Sequence, residues 1–425
     1  PQARIRAVGT SALRRATNGE TVAHALRARY GWPVDIISGT EEARLIYLGV
    51  TASLPESQSA LVIDVGGGST EFIFGHGKQP VTMTSVDVGC LTAAHQFFED
   101  GELSPEKIES ARYDIASQLM DVAHEFRWLP WEQVIGCSGC IEALLQINAA
   151  LGHTPKILTP RHLDDIEALV LEYAHIDDLS LPGLEDERRF LVPAAIAIYG
   201  ALFDLFAIRQ FEYSSAALKD GVIQEMFDQS MLYETRRASV LRLARQHHVD
   251  VDRVAQIHER WQYLSLQMAQ HWRISPEHQE LAEHAIWLLD IGRSVSSHNY
   301  HQHSAYMLQH AELAGFDRTQ QAQLAFLVAA QHGTIDTQWL SQYPIAAYPG
   351  LWQVVRLLRL AIILAKETNT VPELRLWLID NTLHCACASA SLSPWIKSLL
   401  TKECAYQRQL GWSVECQFDL PADKN

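Results

Sequence analysis

An α/β domain followed by a largely helical region and a small α+β segment is the fold class the sequence predicts. Three observations predict it. Short β-rich runs alternate with amphipathic stretches through the first two-thirds of the chain. From about Tyr233 the texture changes to nearly continuous helical periodicity. Strand-like runs then return near the end. In order, strands are expected near 4–8, 33–38, 60–65, 70–75, 80–88, 132–136 and 209–214. Helices are expected between them near 20–30, 41–51, 91–98, 105–126, 139–151, 161–173, 187–207 and 217–227. The helical region reads as 234–246, 250–271, 278–290, 303–312 and 319–331. A helix near 351–366 follows, then strands at 373–379 and 382–387, a helix near 394–408 and a strand near 412–418. Boundaries are expected near 46, 229 and 340, with no internal repeat and no low-complexity linker.

The chain has 425 residues, too many for one hydrophobic core to cover. Apolar residues at 48% and charged residues at 20% describe a folded globular protein rather than a disordered one. A formal net charge of −16 argues against wrapping of nucleic acid or an anionic membrane surface. It leaves room for a small anionic substrate in a local basic groove.

Seven cysteines, an odd number, suggest reduced thiols and a cytoplasmic setting. Cys137 and Cys140 form a C-x-x-C, but no second pair at zinc-ligand spacing accompanies them, so they read as small residues in a glycine turn. The longest apolar run, Phe190 to Ile208, is long enough to span a bilayer. Pro193 and Asp204 interrupt it, so a helix buried between layers is expected and no integral membrane segment.

The most informative segment is Leu61-Val62-Ile63-Asp64-Val65-Gly66-Gly67-Gly68-Ser69-Thr70-Glu71. An apolar strand ends in an acid, three glycines and two hydroxyls, and a second strand follows at once. Glycines admit an anion close to the backbone, and successive N–H groups can form a phosphate nest. A Walker A loop or a Rossmann turn would lead into a helix, so neither fits. Asp64 beside such a nest is well placed to hold Mg²⁺, directly or through water. A second acidic pair, Glu41-Glu42, stands where a strand gives way to a helix. These acids either project into a cleft or merely favour a helix N-terminus.

In order along the chain, several segments resemble the exopolyphosphatase/guanosine pentaphosphate phosphatase (Ppx/GppA) family of the actin-like ATPase superfamily. They are Gly9-Thr10-Ser11-Ala12-Leu13-Arg14 with Asn18, Ile37 through Arg44, Asp64 through Glu71, Val88-Gly89-Cys90, Gly136-Cys137-Ser138-Gly139 and Ala217 through Gly221. Tyr300 to Phe316, with His303-Ser304-Ala305-Tyr306, resembles the family's third domain. The resemblance implies an actin-like (ribonuclease H-like) α/β fold. It divides the chain into a remainder of actin-like domain I at 1–46, domain II at 47–229, a helical HD-like domain at 230–340 and a small C-terminal α+β domain at 341–425. It also implies that family members carry a preceding segment with another phosphate-binding turn. A natural chain starting at Pro1 would favour a catalytically impaired regulator that binds phosphate or nucleotide.

The activity implied is release of terminal orthophosphate from inorganic polyphosphate or guanosine pentaphosphate, with Mg²⁺ as cofactor, by a cytoplasmic homodimer. Glu42 would be the general base for the attacking water. Asp64 and Glu71 would carry the metal and water network, with Asp64 the metal ligand. The backbone at Gly66, Gly67, Gly68 and Ser69 would cradle phosphate oxygens. Arg14 would contact phosphate or else lie on a helix surface.

Further residues bear on this reading. Residues 1–30 contain six arginines against one acid, a net of +5, and Arg236, Arg237, Arg242 and Arg245 form a second basic cluster. Such islands either guide a polyanion or are solvated helix faces. Eleven of the 19 histidines lie between His247 and His332, which raises a metal-dependent HD-type phosphohydrolase as a competing reading. Leu289 stands before Asp290-Ile291-Gly292, where the histidine of an H-D-I-G motif would be needed, so a degenerate site is expected. Ala216 replaces a family glycine, which matters if the position needs positive φ. Cys137 and Cys140 replace the family's usual Ala and Thr. Some stretches, such as Leu179 to Leu184, look more like exopolyphosphatases, and others, such as Leu357 to Ala365 with Val371-Pro372-Glu373, more like pentaphosphate phosphatases.

Overall fold

The computed structural model describes residues 5–32, 34–52, 58–184, 186–227, 229–331, 333–334, 349–367, 374–388 and 392–420. The boundary expected near 340 and the stretch Val371-Pro372-Glu373 lie outside them, as does Arg4. The chain forms two compact units, Pro1–Tyr233 and Glu234–Asn425.

The first unit opens with β1 (Ala7–Gly9), α1 (Ser11–Arg15), α2 (Gly19–Tyr30), β2 (Val34–Ile36) and α3 (Gly39–Thr51). Strands β1 and β2 pair in parallel. The first boundary expected from sequence, near 46, falls inside α3. There follow β3 (Ser59–Val65), β4 (Thr70–His76), β5 (Gln79–Val86), α4 (Cys90–Phe98), α5 (Pro105–Phe126), β6 (Gln133–Cys137) and α6 (Ser138–Ala150). The unit is completed by β7 (Ile157–Leu158), α7 (Pro160–Val170), α8 (Val192–Phe206), β8 (Phe211–Tyr213) and α9 (Leu218–Phe227). One sheet runs in the order β5-β4-β3-β6-β8-β7. Its first three strands are antiparallel, whereas β3, β6 and β8 are parallel through helical crossovers. This mixed sheet is the actin-like α/β architecture that was expected.

Strand β3 is buried along its whole length, which explains its nearly uninterrupted apolar sequence. Its side chains still alternate between two cores. Leu61, Ile63 and Val65 join the large core against α5 and α8. Ala60 and Val62 join a smaller core formed with Ala43, Ile46, Tyr47 and Val50 of α3. Helix α8 is apolar all round, as a helix enclosed by protein must be. Residues 186–206 are the one stretch among the described residues long and apolar enough to cross a membrane. From Ala194 to Leu202 no apolar side chain is more than 1% exposed, so α8 is a core helix. It begins later than the periodicity predicts, after a 3₁₀ turn over Asp186–Leu191. Pro193 lacks an N–H and is tolerated only in the first turn of an α-helix.

Helix α3 is anchored on its outer side as well. Arg44 donates to Glu41 at 2.8 and 2.7 Å and also pairs with Glu225 of α9, which in turn pairs with Arg6. Gly49 and Gly221 let α3 and α9 meet backbone to backbone, since a Cβ on Gly221 would lie 1.8 Å from the Leu45 carbonyl oxygen. Ala216, just before α9, has no positive φ, so the conformation there does not need the glycine it replaces.

In the second unit, α10 (Gln229–Gln246), α11 (Val251–Met268), α12 (Pro276–Leu288), α13 (Tyr300–His310), α14 (Arg318–Ala329) and α15 (Pro349–Leu364) precede β9 (Leu374–Ile379), β10 (Thr382–Ala388), α16 (Pro394–Gln409) and β11 (Val414–Leu420). The three strands form a sheet in the order β11-β10-β9. Asp380 and Asn381 turn the β9–β10 hairpin with φ of 47° and 64°, as a two-residue turn of the I′ kind demands. A single core runs from Val240 to Val414, so helices and terminal sheet share one interior. Arg359 crosses that interior. It donates to Glu403 at 2.6 and 2.7 Å and to the carbonyls of Ala330 and Gly333 at 2.7 Å each. Cys90, Cys137, Cys140, Cys385 and Cys387 lie outside disulfides, whereas Cys404 and Cys416 are paired as one, which departs from the expectation of reduced thiols.

Candidate active site

The alternation of β3 that divides the two cores also aims the acids. Asp64 follows Ala60 and Val62 on the α3 side of the sheet, and Glu71 lies directly opposite it on β4. Helix α3 begins on this side too. Ser38 caps it by accepting from the Glu41 N–H at 3.1 Å, which sets Glu42 in the first turn. Glu42, Asp64 and Glu71 are thereby gathered, all buried and electrostatically linked. Glu41 is not part of this group, because it faces Arg44. The two readings of the acidic pair thus divide between its members.

Each acid is held by a small number of donors. Arg14 donates to Glu42 Oε2 at 2.7 Å and to the Ile37 carbonyl at 3.1 Å, and Thr10 also hydrogen-bonds Glu42. Burial pushes the Glu42 carboxyl up, against the pull of Arg14. Asp64 is pushed up to about 6 by burial, opposed by its hydrogen bonds with Cys137 and Ser138. Glu71, 1% exposed, is pushed up to about 8 by burial and by the charges of Glu42 and Asp64. Ser85 donates to its Oε1 at 2.8 Å.

A linkage prediction follows for Glu71. Between about 4.5, its ordinary value, and about 8 the folded protein holds a proton that the unfolded chain releases. Stability is therefore lost as pH rises through that interval. Glu71→Gln should be more stable than the wild type at pH 8.5, by on the order of 2 kcal/mol, and nearly equal to it at pH 5. Denaturant melts in metal-free buffer check this; an unchanged difference across that range would refute it.

The glycine turn sits at the end of β3. Gly66 N–H closes it on the Ser69 carbonyl at 2.9 Å, so an anion would be met by the amides that follow Gly66. None of the three glycines has a positive φ, so close approach is what the turn requires. A Cβ on Gly68 would lie 2.7 Å from Ser11 Oγ, with Arg15 Nη1 3.7 Å away, which brings α1 against the turn. The Ser11 hydroxyl is buried and makes no hydrogen bond. The amides of Cys90 and Leu91 bond the carbonyls of Gly66 and Gly67, so the start of α4 braces the loop from beneath.

Sequence reasoning missed Thr10, Ser85, Cys137 and Ser138 as partners of the acids. Ser138 carries the clearest structural mark: φ is 83° at a non-glycine residue, held by its hydroxyl's bond to the Val65 carbonyl at 2.7 Å. Of the C-x-x-C pair, Cys137 bonds Asp64 and Cys140 faces Cys90. Arg14 is 12% exposed and bound to Glu42, not a surface arginine. Within the basic islands Arg6 is in ion pairs, Arg236 bonds Gly315 and Glu280, and Arg242 bonds the Glu312 carbonyl, whereas Arg15, Arg27, Arg29, Arg237 and Arg245 are exposed.

The sequence profile of the Ppx/GppA phosphatase family matches residues 1–230, and that of the family's domain III matches residues 235–384. The chain belongs to the Ppx/GppA phosphatase family. Among solved structures it is similar to the PPX-GPPA enzyme of Aquifex aeolicus, with 26% identity over 51% of this chain and 74% of that one and a TM-score of 0.45. It is also similar to an exopolyphosphatase from Cytophaga hutchinsonii, with 24% identity over 53% and 76% and a TM-score of 0.48.

Proposed function

We propose that the protein is a phosphoanhydride hydrolase that releases terminal orthophosphate from inorganic polyphosphate or guanosine pentaphosphate by Mg²⁺-assisted attack of water. The observation that carries this reading is the convergence of Glu42, Asp64 and Glu71 on one face of the sheet, beside the glycine turn. The family profile supports the reaction class, and the name of the Cytophaga relative supports polyphosphate as a substrate.

The acids suit Mg²⁺. Among the described residues no group of three or more His, Cys, Asp or Glu is arranged to enclose a metal ion. Mg²⁺ does not need such an enclosure, because it keeps several waters and is commonly held by one or two carboxylates and the substrate phosphates. Asp64 and Glu71 are both pushed up in part by neighbouring negative charge, which a cation would relieve. Asp64 would hold the ion and Glu71 one of its waters. When bound, Mg²⁺ neutralises phosphate oxygens as the terminal anhydride breaks.

The remaining work falls to the chain. Arg14 holds Glu42 by one oxygen and opposes the effect of burial on its charge, and as a carboxylate Glu42 would orient the attacking water and accept its proton. The turn amides after Gly66, with Ser69, would receive phosphate oxygens, and Arg14 would face the same charge. The test is release of orthophosphate from polyphosphate and from guanosine pentaphosphate, with Mg²⁺ and with EDTA. Release is expected with the ion, falling to about 1% or less without it. No release from either substrate in the presence of Mg²⁺ would overturn the proposal.

A further inference from the structure

The two neighbouring arginines of α1 are used differently. Arg14 is committed, holding Glu42 at 2.7 Å and the Ile37 carbonyl at 3.1 Å. Arg15 is exposed and makes no hydrogen bond or ion pair with a described residue. Its guanidinium is nevertheless at a particular place. A Cβ built on Gly68 of the glycine turn would lie 3.7 Å from Arg15 Nη1 and 2.7 Å from Ser11 Oγ. Hydroxyl and guanidinium, one turn of helix apart on α1, therefore meet at the same glycine.

What gathers there is a surplus of donors. Ser11 is 7% exposed, and its hydroxyl has no hydrogen-bond partner. Buried hydroxyls are ordinarily paired, so an unpaired one marks a place that a ligand can complete. The turn has few acceptors left to offer it. The Ser69 carbonyl accepts from Gly66 N–H, the Gly66 carbonyl from Cys90, and the Gly67 carbonyl from Leu91 and Thr92. The amides of Gly67 and Gly68, by contrast, donate to no described residue. Nor do the acids of the cleft engage Arg15: Glu42 is bonded to Arg14, Asp64 to Cys137 and Ser138, and Glu71 to Ser85.

Resting on the hydrolase reading above, we propose that Ser11 and Arg15 are substrate contacts for a phosphoryl group seated on the glycine turn. Their hydroxyl and guanidinium complete the donor set that the Gly67 and Gly68 amides begin. An exposed arginine changes rotamer rapidly, so the guanidinium can open to admit the oxyanion and then close on it. Its charge meets phosphoryl charge that is present before and after water attacks. Arg15 therefore acts on substrate binding rather than on the chemical step.

Two measurements on the whole chain test this. In the first, imidodiphosphate, a pyrophosphate analogue whose bridge resists hydrolysis, is titrated calorimetrically with Mg²⁺ at constant ionic strength. Arg15→Gln is expected to weaken its binding about tenfold and Ser11→Ala about threefold. Arg15→Lys should recover part of the loss, since it keeps the charge without the planar fork. Arg27→Gln removes the same charge from an exposed position on α2 and should change the affinity by less than about twofold. In the second, polyphosphate hydrolysis, Arg15→Gln should raise KM about tenfold while kcat stays within about twofold of wild type. Unchanged imidodiphosphate affinity in Arg15→Gln, or an equal loss in Arg27→Gln, would overturn the proposal. Arg15-dependent binding in a chain that releases no orthophosphate would uphold the contact and overturn the reaction alone.

Discussion

Glu42→Gln is expected to lower phosphate release from polyphosphate by about a thousandfold, within the range that a positioned general base contributes. The amide can still accept from Arg14, whose guanidinium lies 2.7 Å from Oε2, so the entrance of α3 should keep its shape. It cannot take a proton from water. Removing the Glu42 charge also relieves Asp64 and Glu71, both of which feel Glu42. The variant should therefore melt at or above the wild-type temperature while losing turnover. Single-turnover release assays and thermal melts on the same preparation check the pair of outcomes. Retained turnover would remove Glu42 from the role of base, and a collapsed melting temperature would make it a structural acid.

Glu403→Ala should destabilise the helical unit by about 3–5 kcal/mol, the cost of leaving a buried charge without its partner. Arg359 is 1% exposed and Glu403 3%, and Arg359 also holds the carbonyls of Ala330 and Gly333. Losing Glu403 leaves a guanidinium in the shared core with neutral acceptors alone. Replacing both by apolar residues, as Arg359→Met with Glu403→Leu, should recover much of the loss, because the uncompensated charge disappears. Tryptophan fluorescence in denaturant reads this well, since Trp261, Trp352 and Trp412 all lie in that unit. A loss below 1 kcal/mol in the single variant would refute it.

Long elements were legible because their signals are local. Helix α5 matches its expected span from 105 to 126, with a capping serine, a proline in its first turn and apolar residues at helical spacing. Strands β3 and β4 were legible because an apolar run broke at Asp64 into glycines. Helix α1 has five residues, too few for a period to show. At the site, Asp64 stood out from its own neighbours, whereas the residues around Glu42 left two readings open and only the family resemblance separated them. Thr10, Ser85, Cys137 and Ser138 are small residues whose importance lies in what the fold brings beside them. No spacing rule marks a serine of β5 as the donor to an acid of β4.

The glycine contact between α3 and α9 has a mechanical consequence. With no side chain at Gly49 or Gly221, nothing compressible separates the two backbones at that point. Glu42 lies seven residues back along α3, about 10 Å at the rise of an α-helix. A change in the tilt of α9 would therefore act on α3 at Gly49 and be felt along the helix at Glu42. On the mechanism proposed above, the placement of Glu42 as base would be governed from the far end of the same helix.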